Sequence, residues 1–512
     1  MVPRNLMILA AGMVLTAGER LRYDDYRVLP AGEEQLEFLG GLRRYQPDVT
    51  DAVDVVKDIV TTALAIANSG SGCTISSKHQ PEVPLAAGLR GELQASQHTA
   101  PREAKMDPRI LMFLVANLVL VAGEMVRYDG YRVYRLVPAH QDQLEFLRGL
   151  VKYHPDIRFW KDARAVNVAA DVMVAPKMQN SFMTWLQANS IEAPVLIYNV
   201  QELIDNQRRE KATREDFALD EYHTIEEIYA WLPSLEEKYP GTARFIELGT
   251  AYNGLQLGLE IKFAEDNRLV MLEGGMHGNE WIATACMNWF INEILTTDDS
   301  DVRDVITRVT FNILPSSNPD GYNYTWTTDR LWRKNIQPYQ NCTGVDLNLN
   351  YDFNFTGFGT SEDFCADNYP GPVPFSEYEA ATFSGMLSDN ETETLLLYGS
   401  FHAYGQRIMF PYGVPGNVAS NYDELLEMTQ RASEALAARY GTTYTVGSVL
   451  DLLSPVSGSS IDWMQGVVGH EYNIAWELRD EGQYGYLLPE DQIVPTCQEA
   501  FDSLVSILRD LL

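Results

Sequence analysis

Cysteine is scarce in this chain. Five residues among 512 (Cys73, Cys286, Cys342, Cys365 and Cys497) are too few for a disulfide-built scaffold, and no CxxC pair marks a zinc ribbon. Positive charge is scarce as well. The 39 Lys and Arg stand against 71 Asp and Glu, a net of −32, which excludes nucleic acid as a partner. Long apolar runs are missing too: residues 6–17 and 110–122 are uninterrupted enough to notice, but both fall short of the roughly 20 residues that span a bilayer. What remains is 46% apolar and 21% charged, the profile of a globular chain with ample material for a core, and its length suggests two to four domains. Wholesale disorder and coiled coil are excluded.

The charge is unevenly placed. From Glu215 onward 14 Lys and Arg face 46 Asp and Glu, so the whole imbalance lies there and residues 1–214 are neutral. A boundary is expected near residue 214. The N-terminal part contains a repeat: MVPRNLMILAAGMVLTAGERLRYDDYRV from Met1 returns as MDPRILMFLVANLVLVAGEMVRYDGYRV from Met106. Each copy opens with a basic residue, Arg4 or Arg109, followed by a short apolar run, the pattern of a secretory signal. Two readings stand, tandem units or two adjacent gene starts fused in one frame. The second is preferred, because an internal signal-like run serves nothing in a folded domain. Residues 1–105 are then a partial duplicate with a polar linker, and 106–122 a second signal-like segment. Four N-x-S/T sequons, at Asn323, Asn341, Asn354 and Asn390, fit a secreted, extracellular chain.

Between 123 and 211 strand and helix patterns alternate. YRVYRLV, VNVAADVMVA and APVLIYNV are strand-like, while HQDQLEFLRGLVKY and MQNSFMTWLQAN carry apolar residues at helical spacing. A small α+β domain is expected, followed by QELIDNQRREKATRE, a basic and exposed linker suited to proteolysis. Beyond Glu215 the alternation continues as in an α/β sheet domain of about 300 residues. There the strand RLVMLEGG ends at Met276-His277-Gly278-Asn279-Glu280-Trp281, before the helical run IATACMNWFINEIL. An imidazole and a carboxylate three apart at a strand-to-helix turn can reach one point, which suits zinc. Alone, such a pair is more often a helix cap.

Six further segments follow in order: Asn318-Pro319-Asp320-Gly321-Tyr322, Arg330-Leu331-Trp332-Arg333-Lys334-Asn335, Gly344-Val345-Asp346-Leu347-Asn348, Ser400-Phe401-His402-Ala403-Tyr404, Ser460-Ile461-Asp462-Trp463, and Trp476-Glu477-Leu478-Arg479-Asp480. The series resembles the zinc metallocarboxypeptidases of the digestive A/B type, and the small domain before it resembles their inhibitory prosegment. The resemblance implies a mixed-sheet α/β/α catalytic domain over 215–512, preceded by an open-sandwich prosegment with its activation linker over 123–214. It implies one zinc ion per chain held by His277, Glu280 and His402, with Glu477 as general base and Arg333 as the group that polarises the scissile carbonyl. Asn348, Tyr404, Ile461 and Asn279 match substrate-binding positions. Cys342 and Cys365 match the family's disulfide, a closure worth roughly 3 kcal/mol. Cys286 and Cys497 are expected to be buried free thiols, and Arg330 is read as an ordinary exposed arginine outside the catalytic set.

Three positions depart from that pattern. Leu349 stands where the resemblance implies an arginine that grips the substrate's terminal carboxylate, Ser454 where it implies a phenol, and Asn279 where it implies an arginine. The resemblance also puts Ile461 at the pocket-floor position, which implies a preference for apolar or aromatic terminal side chains. The expected partners are peptide or protein C-termini and an activating trypsin-like protease, with no nucleic acid and no membrane, and the chain is expected to be a monomer. The leading reading is a secreted carboxypeptidase zymogen whose efficiency is reduced at Leu349 and Ser454. The alternatives are a zinc-binding pseudo-carboxypeptidase without efficient turnover, and a hydrolase acting on substrates that lack a free terminal carboxylate.

Overall fold

The computed structural model describes residues 23–24, 27–28, 125–208, 217–264, 268–386 and 394–512. The chain divides into two compact units, Met1–Glu124 and Met125–Leu512. In the first, the described residues are one antiparallel pair, Tyr23–Asp24 with Arg27–Val28. Both signal-like runs, most of the repeat, Asn390 and residues 209–214 of the linker lie outside the described residues.

The second unit opens with β1 (Arg132–Leu136), α1 (Gln141–Tyr153), β2 (Ile157–Lys161), β3 (Ala170–Val174), α2 (Gln179–Ala188), β4 (Val195–Ile197) and α3 (Val200–Gln207). The strands form an antiparallel sheet in the order β2-β3-β1-β4. Leu144, Leu147 and Leu150 line one face of α1 and pack with Phe182 and Leu186 of α2 on Tyr134, Leu136, Val172 and Val174. The 3.6-residue period of the helices thus meets the period of two in the strands. Two points differ from the sequence reading. IRFWK forms β2, whose mixed side chains carry little alternation. The first half of the supposed linker is the helix α3, whose Val200 and Ile204 are buried in the larger core.

The rest follows as α4 (Ile225–Lys238), β5 (Ala243–Thr250), β6 (Leu255–Lys262), β7 (Arg268–Glu273), α5 (Trp281–Thr296), α6 (Ser300–Ile306), β8 (Val309–Leu314), α7 (Pro319–Thr327), α8 (Tyr378–Met386), β9 (Leu395–His402), β10 (Arg407–Phe410), α9 (Tyr422–Tyr440), β11 (Thr445–Ser448), α10 (Ser460–Trp463), β12 (Asn473–Glu477) and α11 (Ile493–Leu511). Eight strands make one mixed sheet, β11-β10-β12-β9-β7-β8-β6-β5. β7, β8, β9 and β12 are paired in parallel at its centre, so β9 is buried along its whole length and reads as a continuous apolar run.

Alternate residues of the central strands face opposite layers. Val270, Leu272, Phe401 and Trp476 pack under α5, α9 and α11, with Phe290, Leu436, Phe501 and Leu504 between. Leu269, Met271, Tyr398, Met409 and Ala475 face the other side, against Phe383, Ile461 and Trp463. The free-thiol expectation fails here: Cys286 on α5 and Cys497 on α11 form a disulfide. The two helices cross so closely that these Cα atoms lie 4.8 Å apart, inside the bridging range. Cys342 and Cys365 are also bonded, with Cα atoms 5.2 Å apart.

Candidate active site

The site lies on the second face of the sheet, where β7, β9 and β12 end. After β7 the chain turns through Gly275, whose φ of +62° is a left-handed value that suits glycine, and enters α5. This turn presents His277 and Glu280 from one side, and His402 closes the triangle from the last position of β9. The ligand atoms of the three residues lie within 4.8 Å of one another, all buried. His277 Nδ1 is 2.8 Å from Glu280 Oε1, and His402 Nδ1 is 3.0 Å from Glu280 Oε2. The outer nitrogens have other partners: His277 Nε2 lies 3.1 Å from Asp346 Oδ1 and His402 Nε2 3.0 Å from Ser400 Oγ. Both Nδ1 atoms are thereby turned toward the carboxylate.

Two imidazole nitrogens, one carboxylate and a hydrogen-bonded outer ring are a donor set that fits zinc and leaves room for a fourth ligand. The charges are balanced locally. Burial would raise the Glu280 carboxyl, but the two histidines hold it down at about 2. Burial and Arg333 disfavour charge on His277, and Glu280 and Asp346 outweigh them, so its pKa is raised. Burial likewise opposes the Asp346 charge, yet Arg333 and His277 leave its pKa well below the usual range. Arg333 Nε donates to Asp346 Oδ2 at 2.9 Å, and its Nη1 lies 3.5 Å from Glu280 Oε1. Glu477 is the cross-strand partner of His402 in the β9–β12 register. Burial pushes its pKa above the ordinary carboxylate value against the pull of Arg407, whose Nη1 donates to Glu477 Oε2 at 3.3 Å.

Residues 228–503 match the zinc carboxypeptidase family model, and residues 134–207 match that of the carboxypeptidase activation peptide. This chain belongs to the zinc carboxypeptidase family. It is 35% identical to zinc carboxypeptidase A 1 of Anopheles gambiae over 407 residues, covering 78% of this chain and 94% of that protein. It is 32% identical to human mast cell carboxypeptidase A, covering 78% and 97%. Among solved structures, the carboxypeptidase A from Helicoverpa armigera aligns with a TM-score of 0.67 at 25% identity, covering 75% of this chain and 98% of that one.

The other candidate residues of this zinc carboxypeptidase are distributed around the centre. Leu349 is buried in a short turn directly after Asn348, whose Oδ1 accepts from Ser460 N at 3.0 Å. Ile461 is buried in α10, in the cluster containing Tyr398 and Met409, and Ser454 is half-buried in the loop before it. Asn279 is buried with its side-chain oxygen unpartnered. Tyr404 is covered by the small domain: its hydroxyl donates to Asp171 Oδ2 at 3.2 Å, and Asp171, fully buried, is paired with Arg135 at 2.8 Å. Tyr486 donates to Trp160 O at 3.3 Å and their rings pack edge to face.

Arg330 corrects the sequence reading. It is buried, stacked 3.7 Å over the Trp281 ring, and donates to Gln207 Oε1, Asn279 O and Tyr486 O. The guanidinium gathers scattered acceptors that no local motif could reveal. Sequence reasoning also gave no role to Asp346, although it lies inside a quoted motif, or to Arg407. The signal for Arg407 was a cation opening the otherwise apolar strand RIMF.

Proposed function

We propose that the chain is the secreted precursor of a carboxypeptidase that removes apolar or aromatic C-terminal residues. One zinc ion is held by His277, Glu280 and His402; when bound it supplies Lewis acidity toward the scissile carbonyl and water. Glu477 takes a proton from the attacking water and returns it to the departing amine as the C–N bond breaks, and Arg333 holds the charge that develops on the carbonyl oxygen. The buried carboxylate beside two imidazoles, with Glu477 on the adjoining strand, is the observation that carries this reading. Ile461 forms the apolar floor, Asn348, Asn279 and Tyr404 line the approach, and Leu349 and Ser454 lower the efficiency. Residues 123–214 are the prosegment and 215–512 the enzyme. Release follows a cut by a trypsin-like protease in the 208–214 stretch, and the active form is a monomer. Two disulfides fit an oxidising, extracellular compartment.

The test is activity on blocked dipeptides ending in Phe, Leu, Lys or Asp, before and after trypsin, with and without chelator. Chelator-sensitive release of Phe and Leu after trypsin, with a stable fragment beginning close to Glu215, is expected. Zinc binding and peptide binding without turnover would replace this reading with the pseudo-carboxypeptidase. Equal cleavage of amidated substrates would replace it with a hydrolase of another task.

A further inference from the structure

An exopeptidase must recognise a free terminal carboxylate, and a carboxylate taken out of water without a partner is strongly disfavoured. Leu349 offers it none, so the cation has to stand elsewhere. The arginines nearest the metal ligands are engaged: Arg333 with Asp346 and Glu280, and Arg330 with Gln207 and two backbone oxygens. Arg407 differs. Its side chain is only 10% exposed, yet among the described residues its guanidinium has one hydrogen-bonding partner, Glu477.

Register places it further. His402 pairs with Glu477 across β9 and β12, and Glu477 pairs with Arg407 across β12 and β10. Cross-strand partners share a face, so metal ligand, base and guanidinium stand in one row, about 4.8 Å apart per strand. The terminal carboxylate of an extended peptide lies one residue, about 3.5 Å of chain, beyond the scissile carbonyl. A peptide with that carbonyl between His402 and Glu477 therefore brings its carboxylate within reach of a group beside Glu477. Room for the group is built in: Gly405, at φ +153°, has no side chain, and an added Cβ there would collide with the guanidinium and lie 3.0 Å from Glu477 Oε2.

We propose that Arg407 is a substrate-binding residue that docks the terminal carboxylate, in the role that Leu349 cannot fill. This rests on the carboxypeptidase reading above. The test uses trypsin-treated, zinc-loaded protein and two probes that share a ring, 3-phenylpropanoate and 3-phenylpropanamide, titrated calorimetrically into wild type, Arg407→Leu and Arg407→Lys. Wild type should prefer the carboxylate about tenfold or more, Arg407→Leu should erase that preference with the amide affinity unchanged, and Arg407→Lys should keep part of it. In turnover of a blocked Gly-Phe, Arg407→Leu should raise KM about tenfold. An undiminished preference in Arg407→Leu overturns the proposal, as does a fall in kcat at constant KM, which would make Arg407 a positioning residue for Glu477. Zinc content and melting temperature control for folding; if the Leu variant does not fold, Arg407→Gln is read in its place. Wild type that prefers the carboxylate without turning over breaks the carboxypeptidase reading and leaves Arg407 standing. Chelator-sensitive turnover without that preference does the reverse.

Discussion

The two halves of the site are built on different principles. Around His277, Glu280 and His402 every charged atom is answered: carboxylate by imidazole, imidazole by Asp346 or Ser400, Asp346 by Arg333. Leu349 and Ile461 are themselves apolar and buried, and the amides flanking Leu349 are engaged away from the metal ligands, Asn348 with Ser460 N and Asn350 with the Pro370 and Val373 carbonyls. Buried charge is tolerable only when paired, so a change in the first half leaves an ion uncompensated. A change in the second half alters which molecule fits and how firmly. On the roles proposed above, bond breaking and recognition meet only where Arg407 touches Glu477, and substitutions can gather on one side of that contact.

The comparison breaks most sharply at its centre. His402→Ala should lose both zinc, by metal analysis, and turnover, because one of the three ligands disappears. Full zinc in this variant would show that the ligand half is not the balanced unit described. Glu477→Gln should keep the metal and lose about 10²–10⁴ in kcat, since only proton transfer is removed. On the recognition side, Leu349→Arg should raise kcat/KM on Phe-ended substrates by about tenfold, and more when Ser454→Tyr accompanies it. The gain should be larger in the Arg407→Leu background, where no other guanidinium serves the carboxylate. Asp171→Ala should weaken inhibition by the cleaved small domain severalfold, read as the Ki of that fragment, because Tyr404 and Arg135 lose their shared partner.

The smallest effect is on stability. Glu379 is buried with one oxygen unpartnered, and burial pushes its pKa up to about 8. A carboxyl raised in the folded state stabilises fully below its unfolded value near 4.5, and that contribution is lost as pH rises through about 8. Glu379→Gln should therefore melt at nearly the wild-type temperature at pH 4 and several degrees above it at pH 8.

The elements that were legible in the sequence are those whose burial imposes a pattern. β9 and β7 declare themselves as apolar runs because they are covered on both faces, α1 because a helix turns a constant stripe inward, and α5 because it is buried on nearly every side and so is apolar almost throughout. The His277–Glu280 turn was visible because both groups come from one short segment. What escaped depends on meetings between distant segments. Cys286 and Cys497 are separated by 211 positions, so only helix packing brings them together. Arg330 finds its acceptors on three separate segments, and Arg407 acquires its neighbour through strand register. β2, with Arg158 exposed and Lys161 at its end, is a strand by pairing rather than by composition.

The Cys286–Cys497 bond has a consequence for what a proteolytic cut would do to the molecule. It encloses His402, Arg407 and Glu477 in one long covalent ring, and the ring begins six positions after Glu280. A single nick anywhere in the intervening surface loops opens the ring without dividing the molecule. The piece bearing His277 and Glu280 and the piece bearing Glu477 stay tethered, so the severed chain can re-close around its metal instead of drifting apart. Damage that would destroy an uncrosslinked enzyme is thereby converted into a scar.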